Sequence, residues 1–355
     1  MRPSTMLLLL LLATVTSSSS SFTITTHQSQ RQAAQHHHRA NSTGSCLPLE
    51  RDALLTFKQG ITSDPAGRLA SWREGEEEDC CRWRGVRCGN CTGHVLHLRL
   101  GNPNYDIIYS ATAFVGQISP SLLALQHLQH LDLSYNNLSG STGRIPEFLG
   151  SLRNLKYLNL SGINFHGRVL PLFGNLTALR FLDLSGMGAT YSTDVSWLTH
   201  LRSLQYLNLD SVNLNTVTDW PHVVTGLPSL RFLHLSDCSL SGMLPEWVGQ
   251  LTSLVSLDLS RNSFTGPLPE FIGNLSGLRI LDLSWNNFTG PLPESISYLG
   301  SLRTLDLSYN NLTGLPQGVG TLSNLTDLYV THNQLDGVIT EEHFRSLKSL
   351  QHIDL

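Results

Sequence analysis

From Leu125 onward the apolar positions recur as L-x-x-L-x-x-L-x-L. The copies begin at Leu125, Leu152, Leu176, Leu201, Leu227, Leu251, Leu275, Leu299, Leu322 and Leu347, at intervals of 27, 24, 25, 26, 24, 24, 24, 23 and 25 residues. Apolar replacements such as Val330 and Ile353 keep the pattern. So regular a period is the signature of stacked supersecondary units. Within a copy the alternating leucines, Leu131 and Leu133 for example, predict a short strand with its apolar side chains inward. One unit cannot bury its own leucines, but a neighbour covers them. The chain is therefore expected to stack into an α/β solenoid with a long parallel sheet. Val95 to Leu100 reads as one more strand in front, followed by a longer irregular connection.

After the strand an asparagine recurs, at Asn136, Asn262, Asn286, Asn310 and Asn333. The turn there leaves backbone groups inside the coil. A side-chain amide can satisfy them at about 1 kcal/mol net per hydrogen bond. Cys238 holds that place in its own copy and is expected to be a buried structural thiol. Three consecutive copies put Ile163, Met187 and Val212 there and have irregular later halves, Tyr191 to Thr199 and Asn215 to Thr225. That stretch is expected to be distorted, either for function or as ordinary repeat irregularity.

The first residues do not follow the period. Arg2, the apolar stretch Met6 to Val15 and the small residues Thr16 to Ser21 predict a secretory signal peptide over residues 1–21, too short to span a bilayer. Residues 22–45, rich in Ser, Thr, Gln and His, are expected to be disordered. A polar linker explains His36, His37 and His38 better than a metal chelator does. Export changes the reading of the cysteines. Five of the six lie between Cys46 and Cys91, and an oxidising compartment favours disulfides among them. The adjacent Cys80 and Cys81 do not match the spaced pairs of structural zinc sites. The chain is 40% hydrophobic and 14% charged with a formal net charge of −4, which supplies a long core and argues against nucleic-acid binding. The acidic run Glu76, Glu77, Glu78 and Asp79 reads as a solvated loop.

The copies LTSLVSLDLSRNSFTGPLPEFIGN and LSGLRILDLSWNNFTGPLPESIS resemble the plant-specific leucine-rich repeat, with Gly266 before Leu268-Pro269 and Gly290 before Leu292-Pro293. The resemblance implies a horseshoe or superhelix with the parallel sheet on its concave face and a second short strand in the Gly-to-Pro segment. ERDALLTFKQGI, LASW, DCCRWRGVRC and GHVLHLRL resemble the amino-terminal cap of plant leucine-rich-repeat receptors. That places a cysteine-rich cap over residues 46–93 and the repeats over 94–355, about ten to eleven of them with the last incomplete. It also implies pairing of Cys46 with Cys80 and of Cys81 with Cys88. Cys91 is left over, as a free thiol or as a sign that the pairing differs. A helix from Glu50 to Gly60 is expected to turn Leu54, Leu55 and Phe57 inward.

The acidic-then-Cys-Cys form and the copies SWLTHLRSLQYLNLDSVNL and TDWPHVVTGLPSLRFLHLSDCSL are most similar to the receptor-like proteins of plant immunity, the Cf-type receptors and those for fungal ethylene-inducing xylanase. The resemblance implies a cell-surface recognition module without enzymatic activity or cofactor. It would bind an extracellular microbial protein or peptide and act through co-receptor kinases at the plasma membrane. A secreted inhibitor of fungal cell-wall hydrolases, of the polygalacturonase-inhibitor kind, and the ectodomain of a receptor kinase are the alternatives. The sequence stops at His352-Ile353-Asp354-Leu355, inside a strand and with no cysteine after Cys238, which reads as a fragment of such a protein, secreted if unanchored.

No catalytic motif is present: there is no G-x-S-x-G, no H-E-x-x-H and no phosphate loop with Lys. No metal set is read either. His234 with Asp258, and the column Asp132, Asp183, Asp258, Asp282 and Asp306, read as polar surface residues of the repeat framework. Nine Asn-x-Ser/Thr tripeptides, at Asn41, Asn90, Asn137, Asn159, Asn175, Asn274, Asn287, Asn311 and Asn324, predict surface glycans on an exported chain. Two exposed columns are expected to carry the ligand. One holds His130, Tyr157, Phe181, Tyr206 and Phe232, and the other Tyr135, Arg261, Trp285, Tyr309 and His332. The cluster Arg261, Trp285, Tyr309 and His332 is preferred, because a glycan on Asn159 would cover the first column and because Trp, Tyr and Arg dominate binding hot spots.

Overall fold

The computed structural model describes residues 45–355 except 76–78, 104–110, 141, 225 and 337–339. The signal-peptide and low-complexity expectations, the histidine run His36 to His38, the Asn41 sequon and the acidic residues Glu76 to Glu78 lie outside the described residues.

From Val95–Arg99 to Asp327–Tyr329 each repeat has a short strand with a fully covered leucine, whereas Ile353 in the last strand, His352–Asp354, is 44% exposed. Leu98, Leu131, Leu158, Leu182, Leu207, Leu233, Leu257, Leu281, Leu305 and Leu328 form one such line, at most 1% exposed. They stand in register across neighbouring strands, as Leu257 opposite Leu281 and Leu281 opposite Leu305. The result is a sheet of twelve strands. Only its first pair, Val86–Cys88 with Val95–Arg99, is antiparallel. From Val95–Arg99 to His352–Asp354 every neighbour is parallel. One coil of the solenoid buries Leu275, Leu278, Leu281, Leu283, Phe288, Leu292 and Ile296, none more than 4% exposed. Each such side chain contributes about 1.5–3 kcal/mol when covered, but only because the next coil covers it.

The asparagines do what the turn demands. Asn286 donates from Nδ2 to the carbonyls of Leu259, Leu283 and Ser284, at 3.0, 3.1 and 3.3 Å, and accepts from the Phe264 N–H at 3.0 Å. One amide thus ties two coils. Cys238 replaces it with a thiol that lies 3.2 Å from the Leu209 carbonyl and 3.5 Å from that of Ser236, and is fully buried. Ile163, Met187 and Val212 are also fully buried, so the irregular copies trade the amide for apolar packing. There the chain supplies its own hydrogen bonds, such as Val212 N–H to Leu209 O at 2.9 Å and Asn213 N–H to Thr190 O at 3.0 Å. A helical turn, Trp220–Val224, closes one of these coils where most others use a 3-10 helix.

The Gly-to-Pro segment forms the second sheet expected from the repeat type. Ser241–Gly242, Ser263–Gly266, Asn287–Pro291 and Asn311–Gly314 pair in parallel. Gly266 and Gly290 have φ of 80° and 73°, left-handed values that a side chain resists.

The cap packs on the first coil. Its helix runs Pro48–Gln59 and buries Glu50, Ala53, Leu54 and Phe57, while Leu55 is half-buried. Trp72 lies fully buried against Trp83, with centroids 5.4 Å apart. Cys46–Cys80 and Cys81–Cys88 are disulfide-bonded, each with Cα atoms 5.4 Å apart. Cys91 is free and exposed. Arg68, which the sequence did not single out, clasps cap to repeats. Its guanidinium donates to the carbonyls of Leu100 and Gly101 and to Asn136 Oδ1, and lies 3.7 Å over the Phe114 ring.

The sheet face as candidate recognition surface

In every strand the residues flanking the buried leucine face outward, and the register aligns them into columns. The column before the leucine is a ladder of rings. Centroid distances run 5.3 Å from His97 to His130, 4.0 Å to Tyr157, 4.1 Å to Phe181, 4.1 Å to Tyr206 and 5.9 Å to Phe232. The in-register strands are about 4.8 Å apart, so flat rings stack face on face. This corrects the expectation of an exposed column. Stacking covers the ring faces and leaves only edges outside, so Tyr206 is buried and its neighbours half-buried. Burial, aided by the charge of Arg99 and by His97, pushes the His130 imidazole down to about 3. It is therefore neutral and suited to stacking.

The column after the leucine carries the acids. Oδ1 of Asp132, Asp183, Asp282 and Asp306 accepts from the hydroxyl of the serine two residues on, at 2.6–2.7 Å. These aspartates cap the turn. They are not plain surface residues as the sequence suggested, since the strands on either side cover them. Asp183 is 8% exposed, and burial raises its pKa to about 6. Burial first, then the charges of Asp258 and Asp306, raises Asp282 to about 7. His234, set beside Asp258 in the sequence reading, hydrogen-bonds Ser256 Oγ at 3.3 Å, and nothing reactive is assembled there.

Asn159 occupies the same column. It is half-buried, its Oδ1 accepts from Ser161 at 2.7 Å, and its Nδ2 lies 3.5 Å from the Tyr157 hydroxyl. Asn90, Asn137, Asn175, Asn274, Asn287, Asn311 and Asn324 are exposed. Asn287 and Asn311 open strands of the second sheet, two residues past Trp285 and Tyr309. The glycan argument for preferring the second cluster therefore does not hold, because Asn159 is the least accessible of the described sequons.

The second cluster has a different merit. Its residues lie on the turn after the strand, not on the strand itself, and all have left-handed backbones. Arg261, Trp285, Tyr309 and His332 have φ of 56°, 57°, 56° and 56°. The conformation costs a non-glycine residue roughly 1–2 kcal/mol. Gly162 and Gly186 fill the same place in other copies. Trp285 stacks on Tyr309 at 3.8 Å, Tyr309 on His332 at 4.2 Å, and the Arg261 guanidinium lies 5.3 Å from the Trp285 ring. Trp285 and Tyr309 remain 41% and 37% exposed.

A further column was missed. Lys156, Arg180, Arg231, Arg279 and Arg303 immediately precede their strands and are exposed. Backbone bonds such as Arg180 N–H to Lys156 O and Arg303 N–H to Arg279 O, both 2.8 Å, keep them in line. Reading one position ahead of the ladder residue in each copy would have found this basic rank. Across the sheet the cations thus run beside the rings, and the acids beyond them.

Profile comparison matches "Leucine rich repeat N-terminal domain" at residues 47–89, "Leucine-rich repeat region" at 163–286 and 269–355, and "Leucine Rich Repeat" at 127–152. The chain belongs to the leucine-rich-repeat family, in its plant receptor-like branch. It is 41% identical over 208 residues to the receptor-like protein EIX1 of Solanum lycopersicum, 57% of this chain and 20% of that protein. The chain therefore spans about a fifth of that relative's length. Among solved structures it is similar to the Arabidopsis receptor kinase HAESA, solved with the peptide hormone IDA and the co-receptor SERK1. The TM-score is 0.71 at 30% identity, over 87% of this chain and 53% of that one. A plant ice-binding protein gives a TM-score of 0.67 at 26% identity, over 87% of this chain and 95% of that one. Fold alone thus does not choose the ligand. The described residues form part of a non-enzymatic ectodomain, and none of their helices is long and apolar enough to cross a membrane.

Proposed function

We propose that the chain is the ligand-recognition part of a plant cell-surface immune receptor-like protein. It takes a microbial protein or peptide on its sheet face and signals through partner kinases. Export, with glycans on the exposed sequons, belongs to this reading. The observation that carries it is the stack of Arg261, Trp285, Tyr309 and His332. Large side chains are held, at a backbone cost, where glycine would sit more easily, and they stay exposed. A stack already formed loses little freedom on binding, which suits a hot spot.

Replacing Trp285 and Tyr309 together by Ala tests this. Both side chains point outward and alanine keeps the same left-handed backbone, so the fold survives the loss of the surface ring stacking. With a purified fungal ethylene-inducing xylanase as probe, the double variant should bind at least ~2 kcal/mol more weakly than the parent by surface plasmon resonance. Equal affinity in the two would move the contact surface to the basic rank and the ring ladder. No binding by the parent would reject this ligand class.

A further inference from the structure

Away from the sheet face, Glu50, His94 and His127 meet where the cap joins the repeats. We propose that they form a binding site for a divalent transition-metal ion of the zinc type, which clips the cap helix, the hairpin and the first repeat together.

The three residues are far apart in sequence and come from three elements. Glu50 lies in the first turn of the helix Pro48–Gln59. His94 precedes the strand Val95–Arg99, and His127 lies in the turn before His130–Asp132. One ligand atom from each falls within 4.8 Å of the others. Glu50 is 3% exposed. A carboxylate so covered requires a positive partner. Among the described residues no Lys or Arg pairs with it; its one ion-pair partner is His94, with Nδ1 3.0 Å from Oε1. The second imidazole is at hand: the His127 ring stacks on that of His94 with centroids 3.7 Å apart and has to turn out of the stack to aim a nitrogen at the ion.

The geometry is close to what zinc needs. Zinc–ligand distances of about 2.0–2.2 Å at tetrahedral angles set ligand atoms roughly 3.4 Å apart. The Glu50–His94 contact must open by less than about half an ångström, and His127 is an exposed side chain free to swing. Two imidazoles and a carboxylate suit zinc far better than magnesium or calcium, and water completes the fourth position. The outer support is also built. Glu50 Oε2 accepts from the Val95 N–H at 2.7 Å, which fixes the carboxylate plane. A metal bound only by the folded cap would raise its stability by mass action.

The test uses the full chain with His36, His37 and His38 changed to Ala, which removes the other run of imidazoles. Cobalt binding is followed by visible absorption and zinc by calorimetry and thermal melting. The expected result is one equivalent of metal bound and a melting temperature raised by zinc but not by calcium. His127→Ala should weaken binding by about ten-fold or more and abolish the zinc-dependent rise. Its metal-free melting temperature should fall only slightly, by the loss of the exposed ring's stacking on His94. A zinc-induced rise of the same size in His127→Ala, or none in the parent, overturns the proposal and leaves a plain Glu–His hydrogen bond between cap and hairpin.

Discussion

The turn-capping aspartates are the residues whose chemistry differs most from their look in the sequence. The L-D-L-S phrase reads as surface polarity because alternation puts Asp outward. Its burial comes from the strands on both sides, which no single copy reveals. The consequence is a pH dependence. Asp282 and Asp183 bind protons more tightly in the folded chain, at about 7 and about 6, than in the unfolded chain near 3.8. Groups raised in this way add stability that is complete below the unfolded value and is lost as pH rises through the folded one. The contribution of these two aspartates should therefore fall between about pH 4 and pH 7, against the opposite slope from the buried, neutral His130. Asn159 and Asn208 already stand in this column, and each still accepts from the backbone two residues on. Asp282→Asn should thus keep the cap and remove the repulsion from Asp258 and Asp306. We expect it to be stabilised by about 2 kcal/mol at pH 7.5 and hardly at all at pH 4. Melts at both pH values check this; a variant that is no more stable at pH 7.5 would contradict the burial argument.

At the level of elements, what the sequence disclosed is what repeats locally. The strands and the asparagine turns follow from residues within one period, and the second sheet from the resemblance to the plant-type repeat. The irregular copies were visible as departures, but not what they become. Backbone bonds and the helical turn Trp220–Val224 depend on how neighbouring coils sit. The ring ladder was half legible. Its column was found, yet stacking, which hides the faces, needs the register between strands. Arg68 was illegible because nothing in its local sequence marks a cation destined for burial. The asparagine ladder carries the prediction at this scale. Asn286→Ala removes two N–H donors shared among three carbonyls and one acceptor in a buried turn, so it should cost about 3 kcal/mol. Denaturation by guanidinium would measure it. A loss no larger than that of an exposed Asn→Ala change would mean that backbone rearrangement can replace the amide, as it does around Val212.

Across the whole molecule, the solenoid separates its surfaces by origin. The strand side carries rings, cations and capped acids, and the second sheet carries Asn287 and Asn311 at exposed starts. If the chain is exported, glycopeptide mapping should find sugar on most of Asn90, Asn137, Asn175, Asn274, Asn287, Asn311 and Asn324, all exposed, and leave Asn159 bare. Full occupancy at Asn159 would require its Nδ2, 3.5 Å from the Tyr157 hydroxyl, to be turned out to solvent and would show that this turn opens before folding is complete.

The exposure of Trp285 has an optical consequence. The chain has six tryptophans, and the other five, Trp72, Trp83, Trp197, Trp220 and Trp247, are at most 6% exposed. Trp285, at 41%, is the indole that a dissolved quencher such as iodide reaches most readily. The fraction of fluorescence that iodide removes therefore reports on one residue, and that residue stands in the proposed contact surface. A bound protein that covers it would protect this fraction and shift its emission to shorter wavelength, without any label being attached. The same chain would give no such change if its partner docked on the second sheet, so the unmodified protein carries its own probe of which face is occupied.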